Sequence, residues 1–165
     1  MAVTNERSVQ LASYLDTVPR TLLDNLDLEG TIRVARFTFT QGTSEGDITS
    51  TATLFEAPAR TRLIGHLSKA YFSTFGAGHN LDIGYAAHTN DRTGATVIAD
   101  PNFFVSNVSV ASAGSVAFDQ SDTSGAQDGF AFEGRAMVLA TALGGTGSIP
   151  AGATIKGFAC LVGTP

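Results

Sequence analysis

Three histidines, one cysteine and a few carboxylates are the side chains that could perform catalysis or bind a metal ion. His79 and Asp82 form the closest such pair, three residues apart. Side chains at that spacing on a β-strand point to opposite faces, so they do not converge on one ion. A zinc site needs three or four convergent ligands, and neither His66 nor His88 lies at a spacing that completes the set. We therefore predict no metal site and no cofactor.

The remaining reactive groups also stand alone in the sequence. Cys160 lies in the apolar stretch 158–162, which is typical of a buried structural thiol. Residues 90–94 resemble part of a calcium loop but lack the alternating acids and closing glutamate of an EF-hand. Glu56 and Glu133 lie in predicted strands, and we interpret both as side chains on the solvent-facing sides of those strands. The sequence leaves open a pair of carboxylates for glycoside hydrolysis, because the distance between the two groups is a property of the three-dimensional structure. We predict that the chain is not an enzyme; a lyase or hydrolase on a jelly roll is the alternative.

Composition favours a protein that assembles with other proteins. The 165 residues suffice for one domain with a sizeable core. Charged residues form 15% of the chain, against about 25% in typical soluble domains, and Gly, Ala, Ser and Thr are abundant. A surface of this kind is easily covered by another protein. The net charge of −5 argues against nucleic-acid binding, and no apolar run is long enough to predict a membrane span.

Residues 1–29 are leucine-rich and are predicted to form an N-terminal arm with short helical turns. Val9, Ala12 and Leu15 lie at roughly helical spacing, and Pro19 separates this piece from a second one at residues 20–29. Both pieces are shorter than the roughly 12 residues at which an isolated helix becomes marginal in water. They must therefore pack on their own domain or on a neighbouring subunit. The predicted arm anchors are Leu11, Tyr14, Leu15, Leu22, Leu23 and Leu26.

From Gly30 onward the apolar pattern has the period of two that is typical of β-strands. Ala35, Phe37 and Phe39 share one face of the predicted strand 31–41. Seven or eight such strands are separated by turns, without a βαβ rhythm. Residues 30–165 are therefore predicted to form an all-β domain, a jelly-roll-like antiparallel β-sandwich. At residues 100–104, Asp100 as N-cap and Pro101 at the first helical position predict one short helix.

Three stretches carry a resemblance to a known group of proteins. They are a strand, a proline-containing kink and a second strand at residues 54–63, the sequence Asn-Leu-Asp-Ile-Gly-Tyr at 80–85, and a final hairpin at 147–158 that contains Pro-Ala-Gly. In this order they resemble the small β-sandwich structural proteins of tailed bacteriophages, which include capsid decoration (cement) proteins. The resemblance covers residues 30–165. The chain has Ala57-Pro58 where those proteins often have Leu-Pro, and residues 1–29 match none of their motifs.

The resemblance implies a non-enzymatic virion protein, made in the host cytoplasm, that binds the head surface. The expected partners are the major capsid protein and further copies of the chain itself, as a homotrimer that stabilises the capsid lattice, with no nucleic-acid or membrane partner. A tail, neck or head-fibre component is the alternative within the virion. A receptor- or glycan-binding module is a further alternative, with the loops at 89–93 and 120–129 as its contact surface.

Overall fold

A computed structural model describes residues 31–163, except 44, 47–48, 120–128 and 145–147. The predicted arm, its helical turns and its six anchors lie outside these described residues. The domain boundary near residue 30 therefore stays a prediction. Within the described ranges, no helix is long and apolar enough to cross a membrane.

The described part of the chain is almost entirely β-structure. Its one short 3-10 helix, Gly65–Leu67, follows the third strand. In chain order the strands are β1 (Thr31–Thr40), β2 (Thr51–Ala57), β3 (Thr61–Leu63), β4 (Lys69–Phe72), β5 (His79–Tyr85), β6 (His88–Thr89), β7 (Thr96–Val97), β8 (Asp100–Ser109), β9 (Gly114–Ala117), β10 (Ala131–Phe132), β11 (Ala136–Gly144) and β12 (Thr154–Gly163).

Two antiparallel sheets form a sandwich. In the six-stranded sheet, β12 pairs with β1 on one side and with both β3 and β4 on the other, and these two strands pair with β10 and β9. The four-stranded sheet has the order β2-β11-β5-β8, and β6 and β7 form a separate ribbon. Apart from β5 and β8, which are neighbours in one sheet, the chain passes from one sheet to the other between successive long strands, and this strand order is that of a jelly roll. The predicted all-β antiparallel sandwich is confirmed.

Phenylalanine rings fill the space between the two sheets. Phe37 of β1 stacks on Phe55 of β2 with ring centroids 5.8 Å apart, so this contact joins the sheets directly. Phe118 lies 6.5 Å from Phe55 and 6.1 Å from Phe104 of β8. Each such pair contributes about 0.5–1.5 kcal/mol beyond the area that it buries. The predicted shared face of Ala35, Phe37 and Phe39 is confirmed, and it faces inward, because Phe37 is buried and Ala35 and Phe39 pack against the core.

A β-bulge changes the predicted alternation in β2. Simple alternation puts Leu54 and Phe55 on opposite faces of the strand, yet both side chains are buried. The register shifts here, since Val138 of β11 pairs with Phe55 while Leu139 pairs with Thr53. Leu54 is the extra residue of the bulge, and the local bend turns two consecutive side chains into the core.

The short helix predicted at residues 100–104 is wrong. These residues begin β8, the edge strand of the four-stranded sheet. Pro101 is tolerated there because an edge strand pairs along one side only, so the backbone N–H that proline lacks is not required for the ladder. Phe104 and Val105 are fully buried, and burial of aromatic and β-branched side chains on a sheet outweighs the local helix-start signal.

Gly84 allows β5 and β8 to approach each other closely, which generates a first prediction. A Cβ atom at this position would overlap the carbonyl oxygen of Asp100 and the backbone of Pro101. Gly84→Ala is expected to lower the free energy of unfolding by about 3 kcal/mol, because two backbones must separate. Gly42→Ala is the control, since its Cβ would meet nothing within 4 Å. Equal urea midpoints for the two variants would contradict this packing.

Candidate assembly surface

The outward side of the six-stranded sheet carries apolar side chains where a monomer would carry polar ones. Ile32 and Val34 of β1 are 59% and 54% exposed. The ladder places Ile32 opposite Val162 and Val34 opposite Cys160. Because side chains alternate along a strand, these residues share the side that faces away from the core. Four neighbouring positions on two strands are therefore apolar and turned outward.

The apolar surface continues across β12 to β4 and the 3-10 helix. Phe158 of β12 pairs with Lys69, two residues from Tyr71 on the same side of β4. Tyr71 and Leu67 are 46% and 48% exposed. The Cys160 Sγ contacts the Leu67 carbonyl oxygen at 3.6 Å, so the 3-10 helix borders β12 directly. We call this surface the outer apolar face; it consists of Ile32, Val34, Leu67, Tyr71, Phe158 and Val162.

Cationic side chains lie beside the outer apolar face. Arg36 pairs with Phe158 in the β1–β12 ladder, and Lys156 pairs with Tyr71 in the β12–β4 ladder. The Lys69 ammonium group lies 5.5 Å from the centroid of the Tyr71 ring. Along the described strands of this sheet, no outward-facing position holds a carboxylate. The electrostatics of the face therefore favour a partner that is apolar and acidic.

The strand β1 also presents an open edge. All ten of its residues pair with β12 without a register shift, while its other edge pairs with no strand in the described part of the chain. The strand contains no proline. A long, regular edge strand is a template for contact with another chain, and stable proteins keep such edges covered. The edge and the outer apolar face meet along β1, so one partner could cover both.

The histidines and the aspartate that were considered as metal ligands make contacts with neighbouring parts of the fold or lie on its surface. His79 and Asp82 are both buried in β5. The Asp82 carboxylate accepts a hydrogen bond of 2.6 Å from the backbone N–H of Asn107, which has a positive φ of 55°. His88 packs edge-on against Tyr85 with centroids 5.6 Å apart, and His66 lies in the exposed 3-10 helix. The described residues contain no group of three or more His, Cys, Asp or Glu side chains placed to hold a metal ion.

Of the two glutamates predicted to lie in strands, Glu56 does lie in β2, whereas the prediction is wrong for Glu133, which lies in the bend after β10. Glu56 is part of an exposed ion pair with Arg135, whose guanidinium lies 3.4 Å from the carboxylate. Glu133 follows β10 and lines an open depression of about 360 Å³ together with Arg60 and Arg92.

The loop that resembles part of a calcium site is an Asx turn. The Asn90 side-chain oxygen accepts hydrogen bonds from the backbone N–H groups of Arg92 and Thr93, at 2.9 and 3.0 Å. These bonds use the oxygen that a cation would need and stabilise the turn. The second candidate contact loop, at residues 120–129, lies outside the described residues except for Gly129.

Sequence reasoning missed the outer apolar face. The relevant signal is present, because Ile32 and Val34 alternate with Arg33 and Ala35 in β1. Alternation alone does not tell which of two apolar sets faces the core when both contain large side chains. In the structure, the set that contains the large ring of Phe37 faces the core. No described part of the chain covers the outward set.

Comparison with known proteins supports the fold. No protein-family model matches the sequence, and no curated protein is similar to it. Among solved structures, a chain in the capsid of Ralstonia phage GP4 is similar with a TM-score of 0.61 and 18% identity, over 84% of this chain and 88% of that one. A chain of the cyanophage Pam1 capsid asymmetric unit is similar with a TM-score of 0.53 and 14% identity, over all of both chains. The chain therefore has a fold that also occurs in phage capsids.

A second prediction follows from the buried Asp82 carboxylate. Asp82→Ala is expected to lower the free energy of unfolding by about 2 kcal/mol, because the backbone N–H of Asn107 loses its carboxylate acceptor. Asp82→Asn keeps an acceptor oxygen and should lose less than half as much. Denaturant unfolding of both variants measures the difference. Equal losses would show that the hydrogen bond to Asn107 does not stabilise this end of β5.

A third prediction concerns alkaline pH. Burial, and secondarily the nearby Asp100 carboxylate, raise the pKa of Tyr85 above its ordinary value. The folded state then holds this proton more tightly than the unfolded state, so stability must fall as pH rises above about 10. Tyr85→Phe should make the loss of stability between neutral and alkaline pH less steep, as measured by thermal unfolding. An unchanged slope would contradict the role of Tyr85.

Proposed function

We propose that this chain is a non-enzymatic structural protein of a tailed-phage virion, a decoration (cement) protein that binds the assembled head and stabilises its lattice. The observation that supports this most directly is the outer apolar face on a jelly roll of the kind found in phage capsids. Exposed apolar patches rimmed by charge mark surfaces that bind other proteins. The function proposed therefore depends on a surface, without any reacting group.

Stabilisation by such a protein follows from mass action. A protein that binds only the assembled shell adds its binding free energy to the assembled state alone. The proposed partners are the major capsid protein and two further copies of this chain, as a homotrimer on the head surface. Three linked copies bind with an avidity that exceeds the affinity of one copy, because the second and third contacts become intramolecular.

The predicted arm has a defined part in this proposal. Its apolar anchors supply the buried side chains that dominate the energy of protein interfaces. In the sequence, the predicted arm ends at residue 29, three residues before Ile32 of the outer apolar face. We therefore assign the arm and this face to one assembly surface. The anchors in question are Leu11, Tyr14, Leu15, Leu22, Leu23 and Leu26.

A fourth prediction tests the face itself. Val34→Asp places a carboxylate within the outer apolar face, on a side chain that is 54% exposed in the described structure, so the core is not changed. Occupancy on pre-formed, undecorated heads should fall at least about tenfold, because burying an added carboxylate weakens the contacts that this face makes with a capsid subunit or with another copy of the chain. The measurement is co-sedimentation of purified protein with heads over a range of concentrations.

The matched control is Ile98→Asp. Ile98 is 82% exposed and lies just after the β6–β7 ribbon, away from the six-stranded sheet. This variant makes the same chemical change on an apolar side chain outside the proposed surface, and it should bind heads as the wild type does. Equal binding by the Val34 variant and the wild type would remove the outer apolar face from the proposed function.

A further inference from the structure

The outer apolar face requires a cover that matches its chemistry. It combines half-exposed apolar side chains with the cations Arg36, Lys69 and Lys156. An uncovered face of this kind at the edge of a sheet promotes nonspecific association. The complementary partner is a chain segment with leucines to fill the apolar surface and carboxylates to meet the cations.

Residues 8–28 of this chain have that composition. In the thirty residues before β1, the only cationic side chains are Arg7 and Arg20. Within residues 8–28 the carboxylates are Asp16, Asp24 and Asp27 against the single cation Arg20, and Asp24 and Asp27 are interleaved with leucines. Glu6 and Glu29 flank the segment.

We propose that residues 8–28 of a second copy of this chain cover the outer apolar face. The leucines would pack on Ile32, Val34 and Phe158, and the acidic side chains would approach the cations beside them. Burying apolar surface would supply most of the binding free energy, and the charges would favour one orientation.

The segment is long enough for this contact. An extended residue spans about 3.3 Å and a helical residue about 1.5 Å, so the 21 residues match the length of the ten-residue strand β1 if they are helical and exceed it about twofold if they are extended. The segment joins the sheet at Thr31, which pairs with Gly163 at one corner of the outer apolar face. A neighbouring copy placed beside that corner can therefore receive the segment without disturbing β1. The choice of a second copy over the chain's own segment rests on the proposed function, in which the contact must join subunits.

Thiol labelling of the free protein tests this contact without any capsid. Cys160 is the single cysteine, so Cys160→Ser gives a thiol-free background that retains a hydrogen-bond donor toward Leu67. In this background, Val34→Cys reports on the outer apolar face and Ile98→Cys reports on exposed surface elsewhere. At micromolar concentration the Val34→Cys thiol should react at least about tenfold more slowly than the Ile98→Cys thiol, because the cover excludes the reagent.

Two perturbations identify the cover. Substituting Leu22→Asp, Leu23→Asp and Leu26→Asp together should raise the Val34→Cys rate to the Ile98→Cys rate, with the Ile98→Cys rate unchanged as the control for folding. Dilution to a concentration at which sedimentation shows the protein to be monomeric should do the same, because a contact between two copies is absent from the monomer.

Three outcomes would overturn the inference. They are equal rates for the two thiols in the full chain, protection that persists in the leucine variant, and protection that depends on the leucines but survives dilution. The last outcome would assign the cover to the chain's own segment. Head binding, measured separately, can fail while this contact stands, so the two proposals remain distinguishable.

Discussion

The ladder between β1 and β12 is the interaction on which the rest of the structure depends. It pairs ten residues of each strand without a shift, so every second side chain of both strands is fixed inward and the others outward. The inward set includes Phe37, which reaches Phe55 in the opposite sheet. A slip of one residue would expose this ring and bury Arg36. The register that closes the core is thus the same register that creates the outer apolar face.

Small residues make this sandwich possible. Gly157 of β12 lies against the Phe37 ring, and a Cβ there would overlap the carbonyl oxygen of Lys69. Gly84 serves the same purpose between β5 and β8. These glycines let the aromatic rings pack closely between the two sheets. The side chains that remain on the surface are mostly small, polar or apolar, so few of them are charged. The low charge of the chain and the close approach of its strands are both compatible with an outer side that is covered by other proteins.

The sequence pattern was sufficient for the fold class but insufficient for its irregularities. Alternation over 31–41 and the turn-rich spacing of later strands predicted the sandwich, since period-two burial depends on local sequence. The short helix at 100–104 was wrong because the packing of Phe104 and Val105 is a tertiary effect. The burial of both Leu54 and Phe55 was missed because a bulge depends on the partner strand.

The candidate site was harder to predict than the fold. The spacing of His79 and Asp82 predicts that the two side chains do not converge on one ion, and the structure places both of them in the buried part of β5. The outer apolar face could not be read from β1 alone, since its contiguity depends on which residues of β12 and β4 lie beside Ile32 and Val34. The arm anchors remain a prediction, because they lie outside the described residues.

The central claim is that this chain covers a capsid lattice by surface contact. The most direct test is the number and position of its copies in purified particles, by quantitative mass spectrometry together with cryo-electron microscopy. The account predicts a copy number in the hundreds, set by the icosahedral lattice, with the outer apolar face buried in every copy. Six or twelve copies at a tail or neck, or a face open to solvent in the particle, would contradict it.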